Sequence, residues 1–185
     1  MIYFDYNGTA PLQKKIFSKL NSINIKNFAN PSSVHKLGRN SKKIIEEVRN
    51  KLKEKINASN YNVIYTSGAT ESNNLAIKGF TKKNDIKKIF SFKTEHLSVL
   101  DVINEIQTEK FFFETSKTGA IDLNKVEDVL QKEKKPFLFS IMLANNETGI
   151  INPVKEIAFL VKKMEVLYIL MEYRHLEKFQ LILMN

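Results

Sequence analysis

The sequence contains no cysteine. That excludes disulfides, cysteine–metal centres and a cysteine nucleophile within these 185 residues. It shows no charged-then-apolar leader after Met1 and no apolar run of the length a bilayer requires, so a cytoplasmic protein with no membrane role is expected. Internal repeats and low-complexity linkers are absent too. What remains is 43% hydrophobic and 26% charged residues, an ordinary globular balance at a length that suits one core and is short for two full domains.

Basic residues exceed acidic ones, 29 against 20, for a net charge of +9, which raises nucleic acid as a partner. The lysines, however, are scattered as pairs: Lys14-Lys15, Lys42-Lys43, Lys82-Lys83, Lys87-Lys88 and Lys134-Lys135. No aromatic-interleaved basic stripe accompanies them. The joint richness in Lys, Asn, Ile and Phe is what an AT-biased coding sequence produces. Solvated surface is the reading adopted, with no nucleic acid.

The patterning begins with a short extended piece, Ile2-Tyr3-Phe4, and a loop punctuated by Gly8 and Pro11, after which a helix is expected through about Leu20. A polar, irregular segment, 27–39, precedes a helix whose Leu37, Ile44, Ile45, Val48, Leu52 and Ile56 make one apolar stripe. From there the chain alternates. A strand ending in Asn62-Val63-Ile64 runs through the small-residue turn Ser67-Gly68-Ala69-Thr70 into a helix containing Asn74–Lys78. Strands are then expected at 88–92, 111–113 and 137–143, with helices at 95–106, 124–131 and 153–163. Uniformly apolar strands alternating with helices predict an α/β fold, a mostly parallel sheet with helices on both faces.

In such sheets ligands sit at the carboxyl ends of the strands. Three polar clusters follow expected strands: Ser67-Gly68-Ala69-Thr70, Lys93-Thr94-Glu95-His96, and Ala144-Asn145-Asn146-Glu147-Thr148-Gly149. They are therefore expected to converge on one pocket. The first N–H groups of the helix after Ser67 lack intrahelical partners and carry the positive end of its dipole, with the Ser67 and Thr70 hydroxyls beside them, so a phosphate has a place to dock. The same residues equally describe an ordinary capped helix. His96 reads as a cap or as a catalyst, and Asn145-Asn146 as a plain turn or as a ligand contact.

Taken together, six segments in order resemble the cysteine desulfurases of the class V aminotransferase group, enzymes of pyridoxal phosphate (PLP). They are Tyr3-Phe4-Asp5; Asn30-Pro31-Ser32-Ser33 with His35, Gly38 and Arg39; Thr66 to Asn74; Lys93 to His96; Gly119 to Leu123; and Asn145 to Gly149. The resemblance covers roughly residues 1–168 and implies an incomplete large domain of a fold-type I PLP transferase. It implies that Ala69 and Thr70 hold the cofactor's phosphate, that His96 stacks on its ring and moves protons, and that Asn146 bonds near its phenolic oxygen. No metal is implied. The parent reaction would take L-cysteine to L-alanine and pass sulfur on as a persulfide, in a homodimer serving a sulfur-acceptor protein, for iron–sulfur cluster or thio-cofactor assembly. Asn7-Gly8-Thr9-Ala10 departs from the family pattern on the substrate side.

The resemblance also defines what is not found. An aspartate facing the pyridine nitrogen, a glutamine near the phenolic oxygen, the lysine that carries the cofactor and a persulfide-bearing cysteine have no match. The segment 169–185 does not look like the family, and His175 within it reads as accidental. Codons can be chosen for 169–185 such that restoring one base before them yields a family-like continuation, with aspartate in place of Met171 and glutamine in place of Arg174. A one-base frameshift followed by early termination is the expectation, giving a truncated protein that is inactive alone, exposes apolar surface and dissolves poorly. The rival readings are a PLP- or phosphate-binding or dimer-interaction remnant without catalysis, and a related selenocysteine lyase or other class V member.

Overall fold

The computed structural model describes residues 2–4, 6, 9–133, 136–163 and 167–171, with the backbone alone for 163, 167, 168, 170 and 171. Two compact units divide at Val63 and Ile64. The first holds helices α1 (Lys14–Lys26) and α2 (Lys36–Lys55). The second holds α3 (Ala69–Lys83), β1 (Lys88–Phe92), α4 (Leu97–Glu105), β2 (Glu109–Phe113), α5 (Leu123–Gln131), β3 (Phe137–Met142), α6 (Val154–Lys163) and β4 (Leu167–Met171).

In the first unit α1 starts three residues after Pro11 and runs six beyond Leu20. No side chain caps its start, and Asn27 closes its end by donating its Nδ2–H to the Ile23 carbonyl at 3.0 Å. It buries none of its residues. The start of α2 is better fixed. His35 Nδ1 accepts the Gly38 N–H at 3.3 Å, and a Cβ on Gly38 would lie 2.4 Å from the Ser33 carbonyl oxygen and 2.7 Å from that of Asn30. Only glycine lets that loop close onto the helix. The α2 stripe is less buried than its spacing suggests: Leu37 and Val48 are exposed, and Ile44, Ile45, Leu52 and Ile56 are half-buried.

The second unit is the parallel α/β sheet that the alternation predicts. Its strand order is β2-β1-β3-β4, and every pairing is parallel. β3 (FLFSIM) is buried along its whole length, as an inner strand covered on both faces must be. On one face Phe90, Phe92, Phe113, Phe139 and Ile141 pack with Val126 and Leu130 of α5 and Ile157 and Val161 of α6. On the other Ile89, Leu138 and Met142 pack with Ile77 of α3 and Val99, Val102 and Ile103 of α4. The strand and helix expectations from 88 onward hold to within three residues.

One expectation fails. Residues 62–66 form no strand, and no described strand pairs with them. Their β-branched character is not enough without a ladder partner, and Ile64 and Tyr65 stay 69% and 49% exposed. Leu167–Met171 forms β4, in register with β3 from Leu138–Leu167 to Met142–Met171. The frameshift reading of the tail falls mainly on residues 172–185, which lie outside the described residues.

Phe90 is the centre of the first face. Its ring lies 5.0–6.4 Å from those of Phe111, Phe113, Phe137 and Phe139. Truncating it to alanine leaves a cavity between the sheet and helices α5 and α6, so Phe90→Ala is expected to cost about 3–5 kcal/mol by urea denaturation. A loss below about 1 kcal/mol would mean that this face is not packed as described.

Candidate functional site

The strand order places β1 and β3 side by side, yet the chain leaves them in opposite directions, β1 through α4 towards β2 and β3 through α6 towards β4. Adjacent strands whose connections diverge open a crevice at their carboxyl ends, the usual ligand position in such sheets. Here the β1–β3 pairing ends at Phe90–Phe139. Beyond it, side chains replace the ladder. Glu95 Oε1 accepts the Met142 N–H at 2.5 Å. Asn145 donates its Nδ2–H to the Thr94 carbonyl at 2.9 Å, and Asn152 donates to the Met142 carbonyl at 2.9 Å.

Asn145 also builds its own turn. Its Oδ1 accepts the N–H groups of Glu147 and Thr148 at 3.0 and 2.8 Å, and the Gly149 N–H closes onto its carbonyl at 2.9 Å. Gly149 adopts φ +74, a left-handed conformation that favours glycine. Asn145 is therefore the structural member of the pair, and Asn146 sits exposed at the turn.

His96 is the N-cap of α4 and half-buried. Its Nδ1 accepts the Ser98 N–H at 3.1 Å and lies 2.8 Å from Ser98 Oγ. An atom that accepts a backbone N–H carries no proton, so in the neutral ring the proton is on Nε2. Ser98 Oγ in turn accepts from Asn73 Nδ2 of α3 at 2.9 Å. Both Asn73 and Ser98 are buried. This chain of bonds ties the first polar turn, at the head of α3, to the second.

The α3 turn reaches the site through its helix, because the strand expected before it does not form. Ser72 makes the first intrahelical bond, to the Gly68 carbonyl at 3.1 Å, which leaves the N–H groups of Ala69, Thr70 and Glu71 ahead of the ladder. Thr70 is exposed and Ala69 half-buried. Ser67 differs from expectation: its N–H and hydroxyl both go to Glu71 Oε2, each at 2.6 Å. Those bonds hold the Glu71 carboxyl below its ordinary range, and Ser67 is engaged within its own turn. An open, mostly apolar groove of about 450 Å³ runs beside α3, lined among others by Ile64, Leu75 and Phe80. Its polar lining is Thr66, Ser72 and Lys83, and Ala69 and Thr70 do not line it.

The second and third polar turns thus belong to one hydrogen-bonded assembly at a topological switch point, and α3, which the first turn heads, is tied to it through Asn73. The pattern of the Aminotransferase class-V family matches residues 2–170. The chain belongs to the class-V aminotransferases. Among curated proteins it is 38% identical to the cysteine desulfurase IscS of Colwellia psychrerythraea, over 90% of this chain and 43% of that protein. It spans about half the length of the curated relatives it matches. Among solved structures it is similar to a NifS-like protein, with TM-score 0.85 and 27% identity over 91% of this chain and 48% of that one. The structure of SspA in complex with cysteine gives TM-score 0.83 and 26% identity over 91% and 49%.

Class-V aminotransferases imply PLP, and the residues present fit its two ends. Unspent N–H groups at the head of a 15-residue helix suit a phosphate dianion, and an imidazole fixed at one edge suits an aromatic ring. Glu71 brings a negative charge to the same turn but directs it back onto Ser67. Among the described residues no cluster of metal-ligating side chains exists, and no helix is long and apolar enough to cross a membrane.

The residue missed by sequence reasoning is Glu95. It lies within the motif that supplied His96, yet it is the one ionisable side chain among the described residues that is buried, at 6% exposure. Its Oε2 has no hydrogen-bond partner. Burial pushes its carboxyl from the ordinary 4.5 up to about 7, against the opposing pull of the Met142 and His96 backbone N–H groups. The acid is thus favoured as its neutral form in the fold. A value raised on folding means that the stabilisation is complete below about pH 4.5 and is lost as pH rises through about 7. Denaturation measured from pH 4 to 8 is expected to show a decline on the order of 3 kcal/mol that Glu95→Gln removes. Parallel curves for the two proteins would contradict this.

Proposed function

We propose that this chain carries the cofactor-phosphate and ring-stacking part of a PLP-dependent cysteine desulfurase. The observation that supports the reading is the bonding from Asn73 of α3 through Ser98 to His96, and from Thr94 to Asn145, which links the helix headed by the first turn with the second and third turns of the family motif. The cysteine bound in SspA and the desulfurase relatives support cysteine as the amino acid of the whole enzyme. Its reaction would convert L-cysteine and an acceptor thiol into L-alanine and a persulfide.

In this reading the N–H groups of Ala69 and Thr70 and the Thr70 hydroxyl bind the phosphate. When bound, PLP supplies an electron sink at the amino acid's α-carbon. His96 covers one face of the ring and holds an exchangeable proton at Nε2, its other nitrogen being committed to Ser98. Asn146 offers its amide at the mouth of the crevice, on a turn that Asn145 holds in place. With no cysteine in the chain, the acceptor thiol belongs to another polypeptide or to chain beyond these residues. A homodimer, a sulfur-acceptor partner and a cytoplasmic location accompany the reading as parts of the same proposal.

The chain by itself is expected to bind without turnover, because it matches no cofactor-carrying lysine motif. In equilibrium dialysis PLP should be held roughly tenfold or more tightly than pyridoxal, with inorganic phosphate competing, and Thr70→Val should weaken PLP roughly fivefold. Cysteine should yield no alanine. Equal retention of PLP and pyridoxal would overturn the phosphate assignment. Alanine formation, with one lysine trapped by borohydride, would overturn the assignment as a binding portion only.

A further inference from the structure

Three geometrical facts meet at Glu95. It sits where the β1–β3 ladder stops, its Oε1 takes the N–H of the last β3 residue, and it directly precedes the His96 that caps α4. A side chain doing the work of a strand partner at that point controls two turns at once. On one side it fixes the loop bearing His96. On the other it fixes Met142, three residues before Asn145 and the turn that presents Asn146.

We propose that Glu95 is a positioning residue whose neutral carboxyl fastens the end of β3 to the His96 loop, and so sets the ring's place relative to the Asn145–Gly149 turn. The role for the site rests on the functional reading above; the fastening does not. A neutral acid matches the surroundings, which supply backbone N–H groups from Met142 and His96 and, among the described residues, no charged partner. Its sequence neighbours are engaged elsewhere: Lys93 Nζ holds Glu114 at 2.7 Å, and His96 Nδ1 faces Ser98. From β3 and its turn the neighbours are Met142, Asn145 and Asn152, none of which titrates. On α4, Ser98 and Val99 are buried, and its acidic Asp101 is exposed; on α3, Asn73 and Ile77 are the buried residues.

Ionisation places an uncompensated charge on Oε2 in a buried position, a cost relieved by admitting water and parting the loop from β3. The two turns are therefore fastened at mildly acidic to neutral pH and loosen above it. Because the link runs through a backbone N–H, glutamine can replace the neutral acid while alanine cannot.

The test uses the full chain labelled with ¹⁵N, with no cofactor. The Met142 amide shift is followed from pH 5.5 to 8.5, together with its hydrogen-exchange rate at low pH. Wild type should show an inflection near 7 at Met142, transmitted to Asn145 and Gly149. Glu95→Gln should abolish the inflection and keep Met142 protected. Glu95→Ala should speed Met142 exchange roughly tenfold or more and shift the 145–149 amides. An inflection that persists in Glu95→Gln, or unchanged Met142 exchange in a folded Glu95→Ala, would overturn the proposal. A failure to bind PLP alongside the expected amide behaviour would overturn the cofactor reading alone.

Discussion

The fold depends on how β1 and β3 part company. Two inner strands of a parallel sheet share a ladder only as far as Phe90–Phe139, and backbone groups beyond that point need partners or water. Glu95, Asn145 and Asn152 supply them from side chains. The crevice at the switch point is therefore lined by groups already engaged with backbone, which is what a preorganised site requires. His96 and the N–H groups heading α3 stand beside this clamp, each tied by its own local bonds.

The same constraint explains why polar residues sit so close to the core. Asn73 and Ser98 are buried between α3 and α4, where each satisfies the other and Ser98 orients the imidazole. Buried polar groups of this kind add less to net stability than apolar ones would, but they fix one arrangement of the helix ends. Apolar packing is carried by both faces of the sheet, the aromatic one centred on Phe90 and the aliphatic one against α3 and α4, and the Asn73–Ser98 pair lies with the second.

How much of this was legible in the sequence varied with the physics involved. The strands from 88 onward and their helices were readable because inner parallel strands are apolar throughout and alternate with helical stretches. The convergence of the second and third polar turns followed from strand alternation alone. The strand at 62–66 was misread because β-branched residues state a preference that only a partner strand makes good. Of the candidate residues, Ala69, Thr70 and His96 lie at helix starts as expected, whereas Ser67 turned inward to Glu71. Glu95 and Asn145 escaped notice as site-builders because both act through backbone atoms forty-seven and fifty-one residues away. No local pattern reports such a bond.

The central claim is that the three turns act as one cofactor-facing crevice. Amide mapping of the full chain during titration with PLP tests it most directly. The account predicts that amides at Ala69–Thr70, at His96 and across Asn145–Gly149 all shift along a single binding curve. Shifts confined to one turn, or spread over exposed lysines with no change at His96, would contradict it.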